Sequence, residues 1–367
     1  MSATDVFVIG GGPAGLAAAI ATRQKGFRVT VADGSRPPID KACGEALMPD
    51  ALLAFERLGL SIPAGEASLL GGVRFLGAGL AVEAAFPSAN GLSIRRTTLH
   101  RIMAERAAAM EIEVLWQTVV TGIRGNEVRL GNRTFHSEWI VGADGVNSRV
   151  RRWANLDKQR HSRFRYAFRR HYCARPWTDR MEIYWGKRSQ AYTSPVNDEE
   201  VCVAVASHDS ELRLDEGLQE FPELHERLLR AEATSTERGA ISCNRKLARV
   251  WRGNIALVGD ASGTVDPITG EGIGLAFHQA VALADCLVTG NLGDYEAAHR
   301  RLAWRPLMMA RLMLMLDGRP WLQRRTLRAF LDRPEVFRRL LALHVGVISP
   351  YEAAFDGLTL GWGLLRA

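Results

Sequence analysis

Residues 5–33, DVFVIGGGPAGLAAAIATRQKGFRVTVAD, constrain the fold of this chain more tightly than any other stretch. An apolar run meets a glycine turn, then a small-residue helix, then a second apolar run closing on Asp33. Gly10, Gly12 and Gly15 form G-x-G-x-x-G between strand and helix, where a helix N-terminus meets a dinucleotide's pyrophosphate. Gly10 permits the tight turn, Gly12 lets backbone approach the phosphates, and Gly15 lets helix and strand pack closely. Pro13 and Ala14 open the helix beside them. Asp33 falls near the roughly 20-residue spacing at which an acid holds a ribose hydroxyl. Glycine turns before helices are common, so the motif is informative only because strand, helix, strand and acid stand in register. By itself it does not choose between NAD and FAD.

The chain is 367 residues long and 47% hydrophobic, enough for a sizeable core and roughly two domains. A net charge of +7 raises nucleic acid as a partner, but the arginines are scattered and no nucleic-acid module accompanies them. No nucleic-acid partner is expected. Five widely spaced cysteines form no C-x-x-C pair and no disulfide framework, which suits a reducing cytoplasm. No metal site is expected. Charges or turn residues break every candidate membrane span.

Beyond Asp33, the loop GSRPPIDKACGEALMP precedes a short helix at 50–58. Two strands follow in 71–86, then a helix capped by Thr97 or Thr98. Clear strand runs recur at EIYWG, AYTSPV and VCVAVAS, with a helical stretch at 212–233. Two further motifs sit where apolar strands end. One is GADGVNSRVRR, in which Asp144 is placed to orient a cofactor or accept neighbouring backbone bonds, and Arg149 to offset phosphate charge. The other is GDASGTVDPITGEGIGLAF, in which Gly259 and Asp260 close a strand and Pro267 stiffens the loop. There Gly270, Gly272 and Ile273 lead into a helix whose N-terminus favours developing negative charge.

In this order and spacing the three motifs resemble the flavoprotein monooxygenase superfamily of p-hydroxybenzoate hydroxylase fold. DKACGEALMP and DPITGEGI are similar to its geranylgeranyl reductase and halogenase branch. The resemblance implies an α/β fold: a Rossmann-type FAD-binding domain, an inserted β-rich substrate domain and a helical C-terminal tail. The expected division is 1–70, 94–160 and 244–294 for FAD, 71–93 and 161–243 for the substrate sheet, and 295–367 for the tail. It further implies FAD as cofactor, NAD(P)H as reductant, and Gly10, Gly12, Pro13, Ala14, Gly15, Asp33, Lys41, Arg96, Val120, Asp144, Gly259, Asp260, Pro267, Gly270, Gly272 and Ile273 as cofactor-binding residues. Arg96 corresponds to the polar residue before the helix that touches FAD. Gly272 and Ile273 correspond to the amides over the flavin O2 edge. The chain departs from the aromatic hydroxylases at Ser262-Gly263, where many carry a histidine, and it lacks the W-x-W-x-I-P of halogenases.

The expected activity is hydroxylation of a small hydrophobic aromatic or polyketide-like substrate by O2 through a flavin C4a-hydroperoxide. Reduction of carbon–carbon double bonds is the alternative, and a non-catalytic flavin-binding regulator the rival from another class. Glu45 is read as a proton donor or loop anchor, Cys43 as a catalytic or packing residue, and Tyr192 as facing the substrate cavity. Lys41 is placed to neutralise phosphate. The arginine-studded apolar tail is read as helices capping the core, or as a greasy entrance in peripheral contact with a membrane.

Overall fold

The computed structural model describes residues 2–157 and 164–352; the end of the expected tail, 353–367, lies outside the described residues. The first sheet grows outward from Ser2–Ile9, whose apolar residues Val6, Phe7, Val8 and Ile9 are buried on both faces. It pairs in parallel with Val29–Ala32 on one side and Arg133–Gly142 on the other. Ile255–Leu257 extends the sheet beyond Arg133–Gly142, and Glu113–Leu115 extends it beyond Val29–Ala32, again in parallel. Register aligns Ile9 with Gly142 and Gly142 with Leu257, so the three glycine-bearing strand ends are neighbours. Motifs separated by more than a hundred residues thereby share one edge.

Helix Pro13–Gln24 covers this sheet and packs against Arg96–Ala109 and Gly272–Thr289. Buried Ala17, Ala18, Ala19 and Ala21 permit the close approach. Among the described residues Gly272–Thr289 is the helix long and apolar enough to cross a membrane, but its apolar face, including Phe277, Ala280, Leu283 and Ala284, is core.

The second sheet runs Arg165–Cys173, Glu200–Ser207, Ser189–Asn197, Arg180–Trp185 in antiparallel order. Gly72–Gly77 joins it in parallel beside Arg180–Trp185, with Leu80–Ala85 as its hairpin partner. One face packs on helices Leu214–Leu218 and Pro222–Leu228. The other carries Met181, Ile183, Trp185 and Tyr192 towards Met48, Ile268 and the tail helices Leu292–Leu316, Pro320–Asp332 and Pro334–His344. Arginines and exposed Trp304, Leu312, Met315 and Trp321 share the outer surface of that tail.

Three local expectations change. The helix expected over 212–233 is two short ones, because Pro222 starts a new helix and cannot continue the old. Gly91–Ser93 pairs with Ala46–Leu47 and Ser68–Leu70 in a small third sheet rather than with the substrate sheet. Neither Thr97 nor Thr98 caps the next helix, which begins at Arg96 and whose first amide is bound by Glu45.

Candidate functional site

The glycine turn is built without spare space. Gly10 has φ +113°, and a Cβ there would lie 2.4 Å from the Ala143 carbonyl oxygen; one on Gly15 would lie 1.7 Å from that of Gly10. Gly12 differs: the nearest atom to its Cβ position is an Arg96 guanidinium nitrogen at 4.0 Å, so its surface is open. Pro13 begins the helix with a nitrogen that needs no partner. The Gly11 amide donates to Asp33 Oδ2 at 2.7 Å, and buried His100 donates through Nε2 to the Gly11 carbonyl at 2.9 Å. Turn, acid and neighbouring helix are thus mutually fixed.

At the Gly142 strand end the geometry redistributes the expected roles. Asp144 accepts from the Ser148 hydroxyl and from the Arg149 and Val150 amides, so both its oxygens cap the short helix Arg149–Trp153. Arg149 lies over the Trp153 ring, 4.9 Å from its centroid. Buried Arg151, not singled out from sequence, crosses to the Ala261 carbonyl at 3.1 Å and the Val146 carbonyl at 2.8 Å, tying the second motif to the third. Val120 is a core residue.

In the third motif Gly259 has φ +58°, and its Cβ position falls 2.6 Å from the Ala14 methyl, so this turn abuts the first helix. Asp260 is solvent-exposed yet closely surrounded, and this desolvation raises its carboxyl pKa against the pull of Arg96, Lys41 and Arg151. The Asp260 carboxylate amid three cations, open Gly12 and Gly272, and exposed Pro267 leave the strand ends accessible. These features fit a dinucleotide laid across the strand ends. Gly270, with φ +69°, turns the chain into helix Gly272–Thr289.

Behind Gly259, Gln279 accepts from its amide at 2.8 Å and donates to His299 Nε2 at 3.0 Å, where Ser262 also sits at 2.8 Å. Burial, with Arg300 nearby, lowers the His299 pKa to about 4. The unfolded imidazole takes up its proton first, so stability falls as pH drops below about 6.5 and levels off below the folded pKa. The expected loss from this group is about 3 kcal/mol. Thermal melts of the wild type and His299→Gln between pH 7 and 4.5 check it, and a steeper loss in the variant would contradict the assignment.

The loop 40–45 is bound almost residue by residue to the second sheet. Arg169 donates to Asp40 and to the Lys41 carbonyl, Cys202 to the Cys43 carbonyl, and Ser194 to the Gly44 carbonyl. Glu45, at φ +61° and buried, accepts from the Arg96 amide at 3.0 Å and faces His171 Nε2 at 2.6 Å. His171 Nδ1 is met by Arg169 and Ser235, and arginine can only donate. The neutral ring therefore carries its proton on Nε2 and donates to Glu45. Both oxygens of Glu45 are occupied, which corrects the donor reading in favour of the anchor. Glu45, His171 and Cys202 lie close enough to suggest a metal site, but a protonated Nε2 offers no lone pair to an ion.

Cys43 remains partly exposed on this pinned loop, its sulfur accepting from the Glu45 amide at 3.3 Å. Desolvation raises its thiol pKa, outweighing Arg96 and Arg169, so the thiol keeps its proton near neutrality. Tyr192, on the sheet face that carries Ser194, donates to Gln190 at 2.6 Å; Gln190 also accepts from Arg165, which pairs with Asp266 at 2.7 Å. Burial raises the Tyr192 pKa. Tyr192 thus belongs to a polar chain reaching the third motif, separate from the Glu45 cluster. Arg165, Arg169 and His171 were missed from sequence. Their signal is that Arg165, Arg169 and His171 fall on one face of Arg165–Cys173, interrupted by Ala167.

Residues 3–294 match the family model described as "FAD binding domain". The menaquinone reductase of Mycolicibacterium smegmatis is 29% identical over 322 residues, 80% of this chain and 78% of that protein. The digeranylgeranylglycerophospholipid reductase of Methanocaldococcus jannaschii is 25% identical over 313 residues, 79% and 76% of the two chains. A flavoprotein/dehydrogenase from Cytophaga hutchinsonii superposes with a TM-score of 0.85 at 18% identity, covering 99% of this chain and 98% of that one. The match over most of its length establishes that this chain belongs to the FAD-binding domain family of flavoprotein oxidoreductases.

Proposed function

We propose that the protein is an FAD-dependent reductase that saturates a carbon–carbon double bond in a hydrophobic, prenyl-bearing substrate, with NAD(P)H as reductant. The carrying observation is Cys43: a partly exposed thiol, its pKa raised further by desolvation, on a loop fixed by four residues of the second sheet. The names of the reductases with which most of the chain aligns support this reading. Saturating a double bond requires two electrons and two hydrogens, and FAD when bound supplies the two-electron chemistry. The remaining hydrogen is a proton, which in this reading the Cys43 thiol supplies. Gly10, Gly12, Gly15, Asp33, Lys41, Arg96, Asp260, Gly272 and Ile273 bind the cofactor. The apolar face around Phe75, Met181, Trp185 and Tyr192, packed under the tail helices, walls the site and excludes water.

Hydroxylation by O2 is the second reading, favoured by Tyr192, a buried phenol backed by Gln190 and Arg165 and suited to orienting a phenolic substrate. Anaerobic turnover of menaquinone or digeranylgeranylglycerophospholipid separates the two. Product saturated by two hydrogens without O2 supports reduction; strict coupling of turnover to O2 consumption overturns it. Cys43→Ala is expected to lower reductive turnover by about 10²–10⁴-fold with FAD retained, the range for loss of a positioned proton donor. Unchanged turnover would remove Cys43 from the chemistry.

A further inference from the structure

Glu271 is the residue before helix Gly272–Thr289, next to the two amides assigned above to the cofactor ring. Its carboxylate is buried, and neither oxygen has a well-formed hydrogen-bond partner. It faces a cavity of 330 Å³ walled by Met48, Pro49, Leu275, Leu302, Pro306 and Val345. Charged and titratable groups reach it from every packed element: Asp50 from helix Pro49–Arg57, Arg305 at 3.6 Å from Leu292–Leu316, and His344 at 3.4 Å from Pro334–His344. Arg301, and His278 from its own helix, line the same cavity. Arg305 is already paired with Asp50.

The His344 contact has only one sensible proton inventory. Its Nε2 lies 3.1 Å from the Thr269 carbonyl, an acceptor, so Nε2 carries a hydrogen. In a neutral ring Nδ1 is then a bare acceptor, and it points at Glu271 Oε2. Two buried acceptors do not face each other at that distance without repulsion. Binding one proton, on either partner, relieves that repulsion.

We propose that Glu271 and His344 form a proton-binding pair whose proton occupancy rises when the FAD bound at the Gly272 helix end is reduced. The placement of the ring at that helix end is the one the family resemblance implies. Two-electron reduction accompanied by one proton leaves a flavin one unit more negative. Added negative charge beside the pair strengthens its hold on a proton, and by linkage a protonated pair favours reduction. Desolvation already raises the Glu271 pKa against the pull of His344 and Arg305, which disposes the carboxyl to accept a proton. Glu271 is the member of the pair that lines the cavity.

The test is spectroelectrochemistry of the FAD-loaded protein, following the midpoint potential from pH 6 to 9 with dithionite-poised mediators. The slope counts protons taken up per two electrons. The expected result is a steeper wild-type slope over part of this range than in Glu271→Gln, with His344→Gln collapsing onto the same shallower profile. A purely structural role shifts all potentials by a constant and leaves the slopes parallel. Parallel or superimposed slopes overturn the proposal, while retained yellow colour shows FAD binding intact. Should Glu271→Gln lose FAD, His344→Gln decides alone; loss of FAD from both assigns the pair to cofactor retention and overturns the proposal.

Discussion

Gly15→Val is expected to emerge colourless and destabilised, while Gly12→Ala folds as the wild type but holds FAD at least about tenfold more weakly. The contrast follows from two glycines of one motif doing different work. At Gly15 the added Cβ would collide at 1.7 Å with the Gly10 carbonyl oxygen, and Ala143 closes the other side at 3.2 Å. Backbone cannot swing aside as a flexible side-chain end can, so helix and strand must part. Overpacking of this kind costs about 1–3 kcal/mol, and a clash with backbone belongs at the upper end. The displacement also moves the helix N-terminus from the strand edge it must serve. At Gly12 the added methyl meets nothing nearer than Arg96 at 4.0 Å, so the fold keeps its stability. What it obstructs is the open surface a pyrophosphate needs, for a cost near 1.4 kcal/mol per tenfold in affinity. Thermal melts and flavin titration separate the two outcomes; an equal loss of stability in both variants would refute the division of labour.

The second large effect is expected at Glu45. Glu45→Ala leaves His171 Nε2–H and the Arg96 amide without acceptors and removes a carboxylate 3.9 Å from buried Arg169. Breaking one side of a buried charged cluster costs about 3–5 kcal/mol. Gln retains one acceptor oxygen for two donors, so Glu45→Gln is expected to lose about 1–3 kcal/mol, the cost of one stranded donor. Backbone strain at φ +61° is a separate contribution, because Ala and Glu both adopt it at a cost that Gly avoids. Glu45→Ala therefore isolates the carboxylate, and the difference between Glu45→Gly and Glu45→Ala reports the strain. Denaturant unfolding of the three variants tests the ranking; a variant series as stable as the wild type would mean that the anchor holds nothing.

The strand-end motifs were legible in the sequence because each is local. A glycine, its strand and the start of its helix lie close together in the chain, and parallel register then brings Ile9, Gly142 and Leu257 together. The Glu45 cluster was not legible, because Glu45 and His171 are 126 residues apart and meet only when the second sheet closes over the loop. A histidine in RYAFRRHYC reads as one more strand residue, and its tautomer depends on Arg169 and Ser235. The misplaced cap has the same origin. Thr97 and Thr98 are good local candidates, but a carboxylate from a distant loop reached the first amide instead. Asp144 was ambiguous from sequence, and the short helix it caps explains why: its neighbours Ser148, Arg149 and Val150 take both oxygens.

The way the chain weaves between its two sheets bears on how it is made. Gly72–Gly77 and Leu80–Ala85 leave the ribosome long before Arg180–Trp185, the strand that Gly72–Gly77 must join. Ser2–Ile9 likewise waits for Arg133–Gly142, and that strand waits for Ile255–Leu257. A nascent chain of this topology carries unpaired apolar strand edges through most of its synthesis, since such distant pairings form late and slowly. The parts cannot mature as beads on a string. Neither sheet is complete until the other has been threaded through it, so synthesis of this flavoprotein is a single commitment, with the nascent edges exposed to aggregation until the last parallel strand arrives.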